Sequence, residues 1–124
     1  MARQILVVDD DDDVRNMLCV ILSAEGYATV GAADGIEALR RIRGVDGPPA
    51  LIFVDLMMPR MGGEALIRTM RRDPLLAGIP VAVLSGHSRP QGSEPTGAID
   101  ARLVKPVELD DLLAIALKFA GPMH

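Results

Sequence analysis

The chain contains the stretch Ile5-Leu6-Val7-Val8-Asp9-Asp10-Asp11-Asp12-Asp13, in which four apolar residues are followed at once by five carboxylates. A continuous apolar run of this kind is typical of a strand buried on both faces of a parallel sheet. Residues 51–54 and 81–84 have the same character, and residues 28–30 and 103–104 are weaker versions of it. The sequence therefore predicts five strands, with the two weaker ones nearer the edges of the sheet.

Helical segments lie between most of these strands. Gly26 is a stop signal for the first helix, and the pair Asp73-Pro74 ends the third. Asp34 followed by Glu37 resembles a capping box at the start of the second. Alternation of strands and helices predicts one α/β domain over residues 1–124, with a parallel sheet and helices on both faces. The helices are predicted at about residues 13–25, 35–43, 63–72 and 107–120.

The connection between the fourth and fifth strands differs from the others. Residues 86–100 contain two prolines, three glycines and almost no apolar periodicity. These residues predict that a fourth helix is absent or irregular in this α/β fold. A plain surface loop is one interpretation of this segment, and a functional segment is the other.

Composition excludes several classes of protein. The formal net charge of −4 is local, because residues 9–13 supply five of the seventeen acids. Aromatic residues make up 2% of the chain, too few for binding single-stranded nucleic acid by stacking. Cys19 is the single cysteine, which rules out an intrachain disulfide or a cysteine-rich metal site. With neither a membrane-length apolar stretch nor a signal-peptide pattern, we expect a cytoplasmic protein that binds no membrane and no nucleic acid directly.

Polar residues directly follow four of the predicted strands. The carboxyl ends of parallel strands meet at one edge of a sheet, where binding sites form. Neighbouring carboxylates repel one another unless they are protonated or neutralised, and Mg²⁺ is a hard cation that prefers such oxygen ligands. A hydroxyl and an ammonium group beside them would complete a clamp for a transferring phosphoryl group. The candidates are Asp9 and Asp10, Asp55 as nucleophile, Ser85 and Lys105.

Each of these residues also has an ordinary structural interpretation. Asp12 and Asp13 are best explained as acids in the first turn of a helix. Asp11 fits either a helix start or the site. Ser85 alone could be a capping hydroxyl, and Lys105 alone could be a surface lysine. The combination at successive strand ends favours a site.

The ordered motifs at positions 5–11, 54–63, 84–86 and 103–106 resemble the receiver domain of two-component response regulators, of the single-domain chemotaxis type. The resemblance implies a flavodoxin-like five-stranded sheet of order 2-1-3-4-5. It implies that Asp55 accepts a phosphoryl group from a histidine kinase or histidine phosphotransferase. Asp9, Asp10, Asp55 and the Met57 backbone carbonyl would hold Mg²⁺, and Ser85 and Lys105 would bind phosphoryl oxygens.

The resemblance also implies a cis Lys105-Pro106 peptide and a regulatory role. Such a protein catalyses only its own phosphorylation and dephosphorylation, and it either regulates a downstream partner, unidentified here, or relays the phosphoryl group. Arg102 stands where receivers usually carry a switch aromatic, so the signal would not depend on burial of a ring. Met57 and His87 lie two residues after Asp55 and Ser85 and would tune the lifetime of the phosphorylated state.

A second class of protein also fits part of the pattern. Asp9 with Asp11 forms the D-x-D of a haloacid-dehalogenase-like Mg²⁺ phosphohydrolase, in which Asp9 would be the nucleophile. Against this, Asp110 and Asp111 lie in the last predicted helix rather than at a strand end, and Asp55 has no role. A receiver-like protein that binds partners without phosphate is a third reading, which the complete set of site residues disfavours.

Overall fold

Strands form a single parallel sheet in the part of the chain that the computed structural model describes, residues 4–44, 47–58, 60–86 and 99–122. The strands are β1 (Gln4–Val8), β2 (Ala28–Ala32), β3 (Leu51–Asp55), β4 (Val81–Ser85) and β5 (Ala101–Val104). Their order is β2-β1-β3-β4-β5, and every neighbouring pair is parallel. This confirms the predicted flavodoxin-like order with β2 and β5 at the edges.

The three central strands are buried on both faces. Phe53 and Leu84 point into one hydrophobic cluster, whereas Val54 and Val83 point into the other. Successive residues of a strand face opposite sides of the sheet, so a strand covered on both sides needs apolar residues at every position. The continuous apolar runs of the sequence are therefore explained by helices on both faces.

Two helices cover each face of the described sheet. The helices are α1 (Asp12–Ala24), α2 (Gly35–Ile42), α3 (Gly63–Arg72) and α4 (Leu109–Ala120). Ile42 of α2 and Leu66 of α3 belong to the cluster on one face. Leu18 of α1 and Leu112 of α4 belong to the cluster on the other. Most of the predicted irregular segment, residues 87–98, lies outside the described residues.

Two helix starts settle or correct details of the sequence analysis. The Asp11 side chain accepts hydrogen bonds from the backbone N–H groups of Asp13 and Val14, so Asp11 is the N-cap of α1. Helix α4 begins at Leu109, two residues later than predicted, and Leu109 is 51% exposed. The buried residues of α4 recur every four residues (Leu112, Ala116, Ala120).

Arg71 of α3 connects the segment that follows this helix to the start of β5. Its Nη1 donates to the carbonyl oxygens of Ala77 at 2.7 Å and Ile79 at 2.9 Å. Its Nη2 lies 3.2 Å from Oδ2 of Asp100, which also accepts the Val81 backbone N–H at 2.8 Å. One guanidinium thus satisfies carbonyl groups that would otherwise need other donors.

We expect Arg71→Ala to lower the free energy of unfolding by about 2 kcal/mol, because several hydrogen bonds to one charged group are lost together. Arg72→Ala, which removes an exposed arginine from the same helix, is the control and should change it by less than about 0.5 kcal/mol. Urea denaturation of the three proteins measures this. Equal losses in both variants would contradict the role given to Arg71.

Candidate functional site

Three aspartates meet at the carboxyl ends of β1 and β3. Asp9 and Asp10 follow β1, Asp55 ends β3, and one carboxylate oxygen from each lies within 4.8 Å of the others. Asp9 is fully buried and Asp55 is 5% exposed, whereas Asp10 is open to solvent. The neighbouring positions of β1 and β3 in the sheet create this cluster. An all-oxygen set with one open side suits a hard divalent cation that keeps part of its water shell.

The ammonium group of Lys105 lies against two of these carboxylates. Its Nζ is 2.9 Å from Oδ2 of Asp9 and 3.3 Å from Oδ2 of Asp55. The Lys105 backbone N–H donates to the carbonyl oxygen of Ser85 at 2.8 Å, which fixes the residue beside the end of β4. The Lys105-Pro106 peptide is cis, as predicted. The carboxylates thus have one cation among them.

The pKa of Asp55 is raised to about 6 by burial, and the negative charge of Asp9 adds to the effect. The backbone N–H of Met57, which donates to Oδ1 of Asp55 at 3.1 Å, and the Lys105 ammonium both oppose this rise in pKa. For Lys105, burial works against the charged form, but the hydrogen bond to Asp9 and the charges of Asp55 and Asp9 outweigh it and raise the pKa. Three carboxylates against one ammonium leave two negative charges for a divalent cation to balance.

Ser85 completes this edge of the sheet from β4. Its side chain is 2% exposed, and its Oγ has no hydrogen-bond partner within the described parts of the chain. A buried hydroxyl without a partner costs free energy, and in native proteins such a group calls for an explanation. An oxygen-rich ligand at this edge would supply the missing partner.

The three positions predicted to tune the site, Met57, Arg102 and His87, do not share one environment. Met57 is 68% exposed, and its backbone N–H contacts Asp55. Arg102 is half-buried in β5 and pairs in register with Val83, so it shares the face of the sheet on which Val83 packs. His87 lies outside the described residues. Their effect on phosphate lifetime remains a prediction.

Sequence analysis missed how the loop after Asp55 is attached to α2. The Arg60 guanidinium forms an ion pair with Asp34, whose carboxylate is buried and also caps α2 through the Glu37 N–H. The carbonyl oxygen of Met61 accepts the backbone N–H of Gly35 at 2.9 Å. The loop therefore has a fixed anchor on the helix beside it. The Asp34-Gly35 pair is the sequence feature that could have indicated this anchor, but it does not identify Arg60 as the partner of Asp34.

Gly63, the first residue of α3, lies directly against the backbone at the end of β3. A Cβ at this position would lie 2.5 Å from the carbonyl oxygen of Asp55 and 2.8 Å from Cα of Leu56. No side chain fits at such distances, because the atoms it would meet are backbone. Glycine at 63 thus brings α3 close to the strand that carries Asp55.

With this geometry in place, comparison with known proteins identifies the family. The chain belongs to the response regulator receiver domain family, whose sequence profile matches residues 5–117. It is therefore similar to a regulatory part of two-component systems rather than to a metabolic enzyme. In the described residues, no helix is long and apolar enough to span a membrane.

Individual relatives support the same assignment. The response regulator MprA of Mycobacterium ulcerans is 42% identical over 118 residues, which are 92% of this chain and 48% of that protein. The DNA-binding response regulator MtrA of Mycobacterium tuberculosis is 39% identical over 88 residues, 71% of this chain and 36% of that protein. The chain thus matches less than half the length of these relatives. The chemotaxis response regulator CheY4 of Vibrio cholerae superposes with a TM-score of 0.85 at 27% identity, covering 96% of this chain and 99% of that one.

Proposed function

We propose that the chain is a phosphorylation-dependent signalling switch in which Asp55 accepts a phosphoryl group from a histidine kinase or a histidine phosphotransferase. The observation that supports this best is the convergence of Asp9, Asp10 and Asp55 at one sheet edge, with the Lys105 ammonium against Asp9 and Asp55. Residues 1–124 form one receiver domain in this proposal. It works in the cytoplasm and either regulates a downstream protein or passes the phosphoryl group on.

Mg²⁺ is the cofactor that we propose for the site. Asp9, Asp10, Asp55 and the backbone carbonyl of Met57 would hold it, since they offer only oxygen ligands and an excess of negative charge. When bound, the ion would neutralise that charge and draw electron density from a phosphoryl oxygen. The fit of the residues to the ion rests on the all-oxygen donor set and on the exposure of Asp10, which leaves one side of the site open to water.

The chain's own residues supply the remaining parts of the reaction. A carboxylate oxygen of Asp55 forms the new O–P bond while the P–N bond of the donor phosphohistidine breaks. With a pKa of about 6, Asp55 is mostly ionised near neutral pH and can act as the nucleophile. Lys105 and Ser85 are placed to bind phosphoryl oxygens, Lys105 by exchanging its contact with the Asp55 carboxylate for one with the phosphoryl group.

The decisive experiment is to treat the protein with acetyl phosphate, with and without Mg²⁺, and to locate the modified residue by mass spectrometry after trapping the acyl phosphate. We expect a label on Asp55 that requires Mg²⁺ and disappears in Asp55→Asn. Asp12→Asn removes an exposed acid of the first turn of α1 and is the matched control, in which labelling should persist.

A label on Asp9 instead would support the phosphohydrolase alternative and contradict the proposal. Asp9 is fully buried, whereas Asp55 is 5% exposed and is therefore the more accessible of the two carboxylates. Absence of any label on Asp55 under these conditions would remove the central claim.

A further inference from the structure

A cavity of about 410 Å³ lies between α2 and the β1–β2 pair, away from the aspartates. Its lining includes Gln4, the first residue of β1, and Gly44, which follows α2. These residues place it toward the amino ends of the strands, whereas Asp9 and Asp55 lie at the carboxyl ends. Its volume falls within the range of small-molecule binding sites.

Apart from Gln4, the wall of this cavity formed by the sheet and the last residue of α2 is apolar. Leu6 and Val30 are register partners on neighbouring strands, so their side chains share one face of the sheet. Ile42, the last residue of α2, lines the cavity beside them and packs in the same hydrophobic cluster as Leu6. Such a surface suits the hydrocarbon part of a ligand, because contact with it removes apolar area from water on both sides.

The opposite wall carries charge from the exposed side of α2. Arg40, Arg41 and Glu37 all line the cavity, and Arg41 lies 3.8 Å from Glu37 in an ion pair. Arg40 forms no ion pair with any carboxylate in the described ranges 4–44, 47–58, 60–86 and 99–122. Two cations against one anion leave a net positive charge at the cavity, although the chain as a whole carries −4.

We propose that this cavity binds a small organic carboxylate with an apolar tail, at a site separate from the aspartate cluster. The tail packs on Leu6, Val30 and Ile42, and the carboxylate pairs with the Arg40 guanidinium. Arginine suits this role because its planar fork matches the two oxygens of a carboxylate. The combination of an apolar wall and a cation that has no ion pair among the described residues sets the class of ligand.

The test uses hexanoate as the probe and hexanamide as its uncharged counterpart, titrated into the full chain and followed by amide NMR. For so small a ligand we expect a dissociation constant on the order of 1 mM for hexanoate. Hexanamide should bind at least about fivefold more weakly, because a hydrogen bond to a charged group is lost. Shifts should centre on the residues that line the cavity and persist at saturating Mg²⁺.

Variants distinguish binding of hexanoate in this cavity from a general attraction of the anion to exposed arginines. Arg40→Gln should weaken hexanoate binding at least about fivefold and leave the affinity for hexanamide unchanged. Arg72→Gln removes an exposed arginine of α3 that does not line the cavity, and hexanoate should bind it as it binds the parent. Val30→Phe should block both probes by filling the cavity; if it fails to fold, the Arg40→Gln result decides.

Three results would overturn the proposal. Equal affinities for hexanoate and hexanamide would remove the carboxylate specificity. Equal weakening by Arg40→Gln and Arg72→Gln would assign the binding to general charge. Shifts confined to the aspartate edge, or no shifts at millimolar hexanoate, would show that the cavity takes no such ligand.

Discussion

Lys105→Met should lower the free energy of unfolding of the metal-free protein by about 3 kcal/mol near pH 7. The Lys105 ammonium is the cation that contacts both Asp9 and Asp55, at 2.9 and 3.3 Å. Methionine keeps much of the length and the apolar stem but removes the charge, which leaves two buried carboxylates facing each other without compensation. Breaking a buried ion pair by removing one partner costs more than the pair contributes, because the remaining charge stays buried.

Lys118→Met is the matched control, since Lys118 is the only other lysine of the chain and is exposed on α4. Its loss should change the stability by less than about 1 kcal/mol, the upper end for an exposed contact such as that with the Phe119 ring. Urea denaturation with a chelator present measures both variants. A loss of less than about 1 kcal/mol in Lys105→Met would mean that solvent, not Lys105, compensates the carboxylates.

Added Mg²⁺ should restore much of the stability that Lys105→Met loses. A ligand that binds only the folded state raises the free energy of unfolding, and this gain grows with the logarithm of the ligand concentration divided by the dissociation constant. The variant presents more uncompensated negative charge, so it should gain more from Mg²⁺ than the parent does. If the parent gains as much as the variant, the ammonium and the cation do not compensate the same carboxylates.

Much of this site follows from the sequence because a buried parallel strand is recognisable locally. Once the apolar runs of β1, β3 and β4 are located, the residues that follow them must share one edge of the sheet. The residue types at those positions, Asp9, Asp55 and Ser85 among them, then suggest the chemistry. The order of the strands came from the family resemblance, since alternation alone does not distinguish the possible arrangements of five strands.

Side-chain pairing across loops did not follow from the sequence in the same way. The ion pair between Arg60 and Asp34 depends on a backbone conformation with φ of 57° at Arg60, which few residues other than glycine adopt readily. The sequence likewise predicted that Lys105 would face a phosphoryl group, but not that it lies between Asp9 and Asp55 before one is bound. Such contacts depend on the final geometry of loops that carry no periodic signal.

Asp55→Asn should stabilise the metal-free protein by about 2 kcal/mol near pH 8, and this gain should shrink below about pH 6 and vanish below about pH 3.8. Burial raises the pKa of Asp55 to about 6 in the folded protein, from an ordinary value of 3.8. The folded parent therefore holds a proton that the unfolded chain has released between these two pH values, so its stability falls as pH rises through about 6. The amide cannot ionise, and the variant does not share this loss.

Two pKa units correspond to about 2.7 kcal/mol, a figure that already includes the contact with Lys105, and screening by solvent at the open side of the site reduces the expected gain to about 2 kcal/mol. The measurement is urea denaturation of parent and variant across this pH range with a chelator present. Asp12→Asn, at an exposed acid outside the cluster, should show no such change with pH. A difference between parent and Asp55→Asn that stays constant from about pH 4.5 to 8 would contradict the raised pKa.

Mg²⁺ should reverse the order of the two proteins near pH 8. The parent offers the cation three carboxylates within 4.8 Å, whereas Asp55→Asn offers two and a neutral amide. The ion should therefore bind the folded parent more tightly and stabilise it more. The buried negative charge that makes Asp55 costly in the metal-free protein is the same charge that would bind the ion, so the pH-dependent loss of stability should shrink as Mg²⁺ is added. If Mg²⁺ stabilises both proteins equally, Asp55 is not one of its ligands.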